Sequence, residues 1–393
     1  MENAGKSLTI SLGKILVFAY FILFPFGQFF TIRLNLLGLA IPIHAIDVLA
    51  LLTVPSFLIG KLKVPKVYSY VLGFLLVATF SNILALKSYS SWEILVGLLY
   101  FLRFFAYSTF FLLAWNLIRQ EKRLRSSFFD LLIFSSFFTA VFGWIQYFLF
   151  PDLTSLKYIG WDDHLFRLVG THLDPGFTGI VLAFGFVASL AKFLIKKDRR
   201  LFWLSLLFLF TLALTYSRAT YLAFAAGVFT IVHKSGVKKY FLLVLTLLFI
   251  IFLLPRPAGE GVRLERVASV LARVQNYRET LTIIKKSPLF GVGFNNLCAE
   301  RTRLFAGIGY ASHSCSGSDS SLLLVAATTG MVGLMIFLYM AWGIVKSLRM
   351  DFYGKTFLAA AIAILVHSLF VNSLFYPWVM GYLATLLAVS LKE

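Results

Sequence analysis

The chain reads as an all-α, polytopic membrane protein: about twelve transmembrane helices, with a large, partly helical loop between the ninth and the tenth. Composition is the first reason. Of 393 residues, 60% are hydrophobic and 13% charged, with a mean hydropathy of +0.86, whereas a soluble domain carries about 25% charged residues. Spacing is the second, because apolar runs near the ~20 residues that cross a bilayer recur between short basic clusters. The third is 255–318, the one long stretch of ordinary polarity, with seven arginines and two lysines against four glutamates. The chain therefore divides into a transmembrane bundle of about nine helices over 1–254, a basic loop over 255–318 and three C-terminal transmembrane helices over 319–393.

In order, the runs fall at roughly 11–30, 43–60, 67–86, 93–118, 127–150, 176–195, 201–216, 219–233, 239–254, 319–345, 356–372 and 375–391. The first is long enough to span and lacks a small-residue cleavage site, so it reads as a span and not as a cleaved leader. Connections alternate in charge. Lys61, Lys63 and Lys66 mark one side, as do Arg119, Lys122, Arg123 and Arg125, then Lys196, Lys197, Arg199 and Arg200, then Lys234, Lys238 and Lys239, then Lys346, Arg349 and Lys355. Lys6 and Lys392 place both termini with them, which by the positive-inside rule is the cytoplasm. The formal charge of +19 thus lies mostly in orientation-setting clusters and is not a nucleic-acid footprint.

The opposite connections are 151–175, 216–219, 255–318 and 372–377, and the first three hold the residues with chemistry. A basic loop on the outer side breaks the positive-inside pattern, and binding of a lipid-linked anion would account for it. In FRLVGTHLDPGFTG, 166–179, Arg167, His172 and Asp174 sit among turn-forming glycines and a proline, either facing water or aimed into an outward cavity. Arg218 lies between two short apolar runs, where an arginine snorkels or meets an anion. Arg263, Arg266 and Arg273 fall within about 80° on a helical wheel, beside Val262, Val267, Val270, Leu271 and Val274, predicting an amphipathic helix on the membrane or capping the bundle. Arg278 is expected to open a second short helix that Pro288, Gly291 and Gly293 end. Ser318 and Asp319 are N-cap candidates for the tenth span. Cys298 and Cys315 both lie in the outer loop, where an oxidising compartment permits a disulfide without requiring one.

Arginines bind phosphate oxygens in planar, bidentate geometry and stay charged. His313, in a Ser- and Gly-rich stretch, has the pKa range of a general base. No run has metal-ligand spacing, so the developing charge of a leaving phosphate falls to arginine, with no metal and no cofactor expected.

Four ordered landmarks carry a resemblance: R-x-x-G-T-x-x-D-P at 167–175, S-R-A at 217–219, R-(x)9-P-L-x-G-x-G at 278–293, and a polar segment entering an A-x-T-G-x-x-G helix at 327–333. With them the chain resembles, over most of its length, the O-antigen ligase and polymerase family of bacterial membrane glycosyltransferases. The resemblance implies that a glycan on undecaprenyl diphosphate meets its acceptor at the periplasmic face of the inner membrane. An acceptor hydroxyl, on lipid A-core for a ligase, attacks the anomeric carbon with inversion and undecaprenyl diphosphate leaves without a metal. Carried over by motif, Arg218 and Arg278 would grip the diphosphate, with Arg167 as a weaker third; Arg266, from the loop's basic face and not from a motif, is a further diphosphate-binding candidate. The characteristic histidine would stand eleven residues before the first glycine of T-G-x-x-G. That position is Asp319, and His313 is six residues further upstream, so both are catalytic candidates. A polymerase, acting on a second lipid-linked glycan, shares this chemistry. A flippase would instead use charges within spans, such as Asp47, Arg103, Asp130 or His367, and a docking protein would use the loop's charge alone.

Overall fold

Each of the twelve apolar runs folds as helix, and the differences from expectation lie in how the helices break. The computed structural model describes residues 2–36, 39–59, 62–232, 237–255, 260–305, 315 and 317–392. The helices are α1 (Glu2–Leu23), α2 (Ala45–Leu51), α3 (Thr53–Ile59), α4 (Val67–Ala85), α5 (Ser91–Gln120), α6 (Arg123–Leu149), α7 (Pro175–Lys196), α8 (Arg199–Ala213), α9 (Arg218–Val232) and α10 (Val237–Leu253). The loop contributes α11 (Ala268–Lys286) and α12 (Leu297–Leu304); α13 (Ser321–Ser347), α14 (Phe352–His367) and α15 (Pro377–Ser390) complete the chain. Among the described residues, six helical segments are long and apolar enough to cross a membrane: Ser11–Phe30, α4, α5, α6, α7 and α13. The other apolar helices are shorter, so a twelve-span reading depends on them.

Three features differ from expectation. β1 (Thr31–Leu36) pairs antiparallel with β2 (Leu39–His44), and Asp152–Leu153 pairs with His164–Leu165, so short strands accompany the helices. The alternating IRLNL suits a strand better than a helical face. The second run is two short helices, α2 and α3, broken at Leu52; Pro55 has no N–H to continue the ladder, and Thr53 Oγ1 donates to Ala50 O, 2.6 Å away. In the loop, Arg263 and Arg266 precede the helix, and Arg278 lies inside a single α11 because nothing between 268 and 286 breaks it.

Small residues set the packing, as in membrane bundles generally. Gly179 and Gly185 of α7, which is buried along most of its length, face Thr220 and Ser136, and Gly227 of α9 meets Ala359 and Ala363 of α14. Bonds sort the connections onto two ends. The Lys63 amide donates to Asn116 Oδ1 and its carbonyl accepts from Asn116 Nδ2, Arg125 pairs with Asp351 at 2.9 Å, and Arg349 N donates to Ser390 O, gathering the basic clusters at one end. At the other end 166–169 meets 214–216, and 317–321 meets 368–374.

The last two landmarks interlock. At Gly330 (φ 70°, ψ −174°) α13 is non-helical, which frees backbone groups on both sides. Val292 and Gly293 donate to the carbonyls of Ala327 and Thr328, each at 3.0 Å, while the amides of Met331 and Val332 donate to Pro288 and Leu289 at 2.8 and 3.2 Å. Ser81 of α4 donates to Phe290 O and to Thr328 O. The P-L-x-G-x-G turn is therefore a plug in a broken helix, satisfying groups that an apolar setting would penalise.

Candidate functional site

The site is built on the α8–α9 turn, 214–218. Tyr216 takes φ 47°, an uncommon conformation for a non-glycine residue, and its carbonyl points at two guanidiniums. Arg167 Nη2 reaches that oxygen at 3.3 Å and Arg266 Nη2 at 3.4 Å, while Arg167 Nε donates to Thr215 O at 3.1 Å. Arg218, the first residue of α9, donates to Leu264 O (3.0 Å), Arg266 O (3.2 Å) and Ser269 Oγ (2.9 Å). Three of the four expected anion-binding arginines thus converge. Arg167 is only 8% exposed, and burial, then the neighbouring Arg266, push its pKa down to about 10, so it stays charged at neutral pH. The hydrogen bonds of Arg167 and Arg218 go to carbonyls and a hydroxyl, not to a carboxylate. That leaves a positive well at the mouth of the bundle.

Arg273 on α11 adds to this field: burial, then Arg273, lower the Arg218 pKa. Three and four residues on, about one helical turn or 5–6 Å away, come Asn276 and Tyr277. Asn276 Oδ1 accepts the backbone N–H of Asp319 at 3.0 Å, and Tyr277, whose hydroxyl donates to Leu369 O, is close enough to feel both Asp319 and Arg273. Burial, then Asp319, raise the Tyr277 pKa, with Arg273 opposing. One face of α11 therefore joins the arginine cluster to the candidate base. Asp319 is not the N-cap of α13; Ser320 is, accepting from Leu323 N. His313 lies outside the described residues.

Arg278 is exposed, about 140° round α11 from Arg273, and is not part of the convergence. Asp174 caps α7, accepting from Phe177 N at 2.8 Å. His172 is fully buried, with Nδ1 3.4 Å from the Tyr376 hydroxyl. Cys298 and Cys315 form a disulfide. Arg301, a residue given no role from sequence, is fully buried and bonds to the segment leading into Asp319; its only sequence signal is its place three residues after Cys298.

The fold defines a helical, multi-pass membrane protein, with the arginine-bearing 260–305 segment packed over one end of its bundle. Residues 203–338 match the family model described as O-antigen ligase, so the chain is similar to that family across α8 to α13, the stretch that holds Arg218, Arg266, Arg278 and Asp319. No curated protein matches. The match supports an O-antigen ligase- or polymerase-type activity for a multi-pass membrane protein.

Proposed function

We propose that this protein transfers a glycan from undecaprenyl diphosphate to an acceptor hydroxyl, lipid A-core in the ligase form, at the periplasmic face of the inner membrane. The observation that carries this reading is the meeting of Arg167, Arg218 and Arg266 around one turn, with Arg273 close enough to act on Arg218 and Asp319 held by Asn276, three residues along α11 from Arg273. The acceptor oxygen forms a bond to the anomeric carbon as the bond from that carbon to the phosphate oxygen breaks, with inversion. The acceptor proton passes to Asp319 or His313, and the electron pair leaves with the diphosphate, where guanidinium groups stabilise the growing charge. The Cys298–Cys315 disulfide favours an oxidising compartment for this loop. Carrier chemistry is disfavoured: Arg103 pairs with Asp47 at 2.9 Å, and His367 bonds Ser373 (2.9 Å) and Thr220 (3.4 Å).

The test is reconstituted protein with an undecaprenyl-diphosphate-linked glycan and either lipid A-core or a second lipid-linked glycan as acceptor. Wild type is expected to release undecaprenyl diphosphate. Arg218→Ala removes a guanidinium from the cluster and is expected to weaken undecaprenyl diphosphate binding about 10- to 100-fold, the value of one hydrogen bond between charged partners, about 1.5–3 kcal/mol. Product made only with the second lipid-linked glycan assigns the polymerase form. Lipid binding without release from any acceptor overturns the transferase reading.

A further inference from the structure

We propose that Arg301 is a positioning residue of the transfer reaction, one half of a two-point clamp on α12 that fixes the segment carrying Asp319. The role rests on the transferase reading above. A fully buried arginine is unfavourable unless its fork is matched. Here the two Nη groups carry the hydrogen bonds, Nη1 to Gly317 O at 2.9 Å and Nη2 to Thr280 Oγ1 at 3.0 Å and Asn276 O at 3.4 Å, while Nε faces the Glu279 carboxylate at 3.2 Å as an ion pair. One side chain thereby ties α12 and α11 to the chain just before α13.

The second point is the disulfide. Cys298 stands three residues before Arg301 on the same side of α12, and its partner Cys315 stands two residues before Gly317. The segment is thus held covalently at 315, by Arg301 at 317, through Thr280 at 318 (Oγ1 to Ser318 Oγ, 3.3 Å) and by Asn276 at 319. The clamp is itself braced. Glu300 receives Lys286 and the Tyr89 hydroxyl at 2.5 and 2.6 Å, and Arg303 pairs with Glu93 at 2.9 Å. α13 already has its own cap in Ser320, so starting that helix does not require this bracing. It does suit a group that must receive a proton at one defined place, where a displacement of about 1 Å lowers rate about 100-fold.

The experiment uses the full chain in nanodiscs, as Arg301→Lys, Arg301→Gln and Asn276→Ala. Lysine keeps the charge but cannot match four acceptors at once. Amide exchange at 317–319 is expected to rise at least about 10-fold in each, since the Asp319 amide loses its partner or the partner's support. Undecaprenyl diphosphate affinity and donor KM are expected to stay within about twofold, because Arg301 does not touch the arginine cluster. kcat is expected to fall about 30- to 100-fold. Should Arg301→Gln fail to fold, the lysine and Asn276 variants carry the same readouts. Unchanged kcat with faster exchange overturns the positioning role, as does a joint fall of kcat, donor affinity and melting temperature. Absence of transfer by wild type overturns the transferase reading instead, and the clamp then stands or falls on exchange at 317–319 alone.

Discussion

Gly291→Ala tests whether the P-L-x-G-x-G turn is a plug or a phosphate loop. Gly291 has φ 69°, a conformation that costs a residue with a Cβ about 1–2 kcal/mol. Its added methyl would sit 2.6 Å from both Ala327 O and Thr329 N, backbone atoms that cannot swing aside. Moving the turn away loosens the two 3.0 Å bonds from Val292 and Gly293, at about 1 kcal/mol each. Together these give about 3 kcal/mol. At about 2.1 cal/mol/K of unfolding entropy per residue, that lowers the apparent Tm of a chain this long by roughly 4 °C. Gly160→Ala is the control: φ is 83° there, but nothing lies within 4 Å of an added Cβ, so only the conformational part applies. Thermal denaturation of detergent-purified protein is read beside undecaprenyl diphosphate binding by each variant. A Gly291→Ala protein that melts like wild type yet no longer binds the lipid would refute the plug and make the turn part of the binding surface.

Two further outcomes are expected. His164, 4% exposed in the connection between α6 and α7, has its pKa held down to about 3 by burial, then by Arg167 and Arg266. Its folded pKa is below the usual ~6.5, so its contribution is complete above that pH. It declines as pH falls toward 3, by up to about 1.4 kcal/mol per pH unit. Melting curves from pH 7.5 to 4.5 should therefore fall less steeply for His164→Leu than for wild type; equal slopes would discard this origin. Arg103→Met leaves Asp47 buried without its ion-pair partner and should cost about 3–5 kcal/mol, much of it recovered in the Arg103→Met, Asp47→Leu double variant. A double variant no more stable than the single one would mean the pair is not the reason.

Helix positions were legible because a membrane interior demands long apolar runs, and the runs survive as helices even where Thr53 and Pro55 split one of them. The pairing of β1 with β2 was not, since a short strand beside apolar spans has no composition of its own. Arg167, Arg218 and Arg266 could be grouped from residue type and side of the membrane. The position of Arg278 relative to them could not be read that way, because whether 268–286 makes one helix or two decides which face it occupies. Arg301 was illegible: an arginine with four acceptors around it and one in water are written alike, and its acceptors come from α11 and from beyond Cys315.

The break in α13 also bears on how this protein can be recombined. A transplant of 255–318 alone would carry away Pro288, Leu289, Val292 and Gly293 and leave the carbonyls of Ala327 and Thr328 and the amides of Met331 and Val332 to a foreign turn. Each such group left unmatched in an apolar setting costs about 1–3 kcal/mol. The exchangeable module therefore extends past the start of the membrane helix to Gly333, and Ser81 of α4 has to be matched along with it.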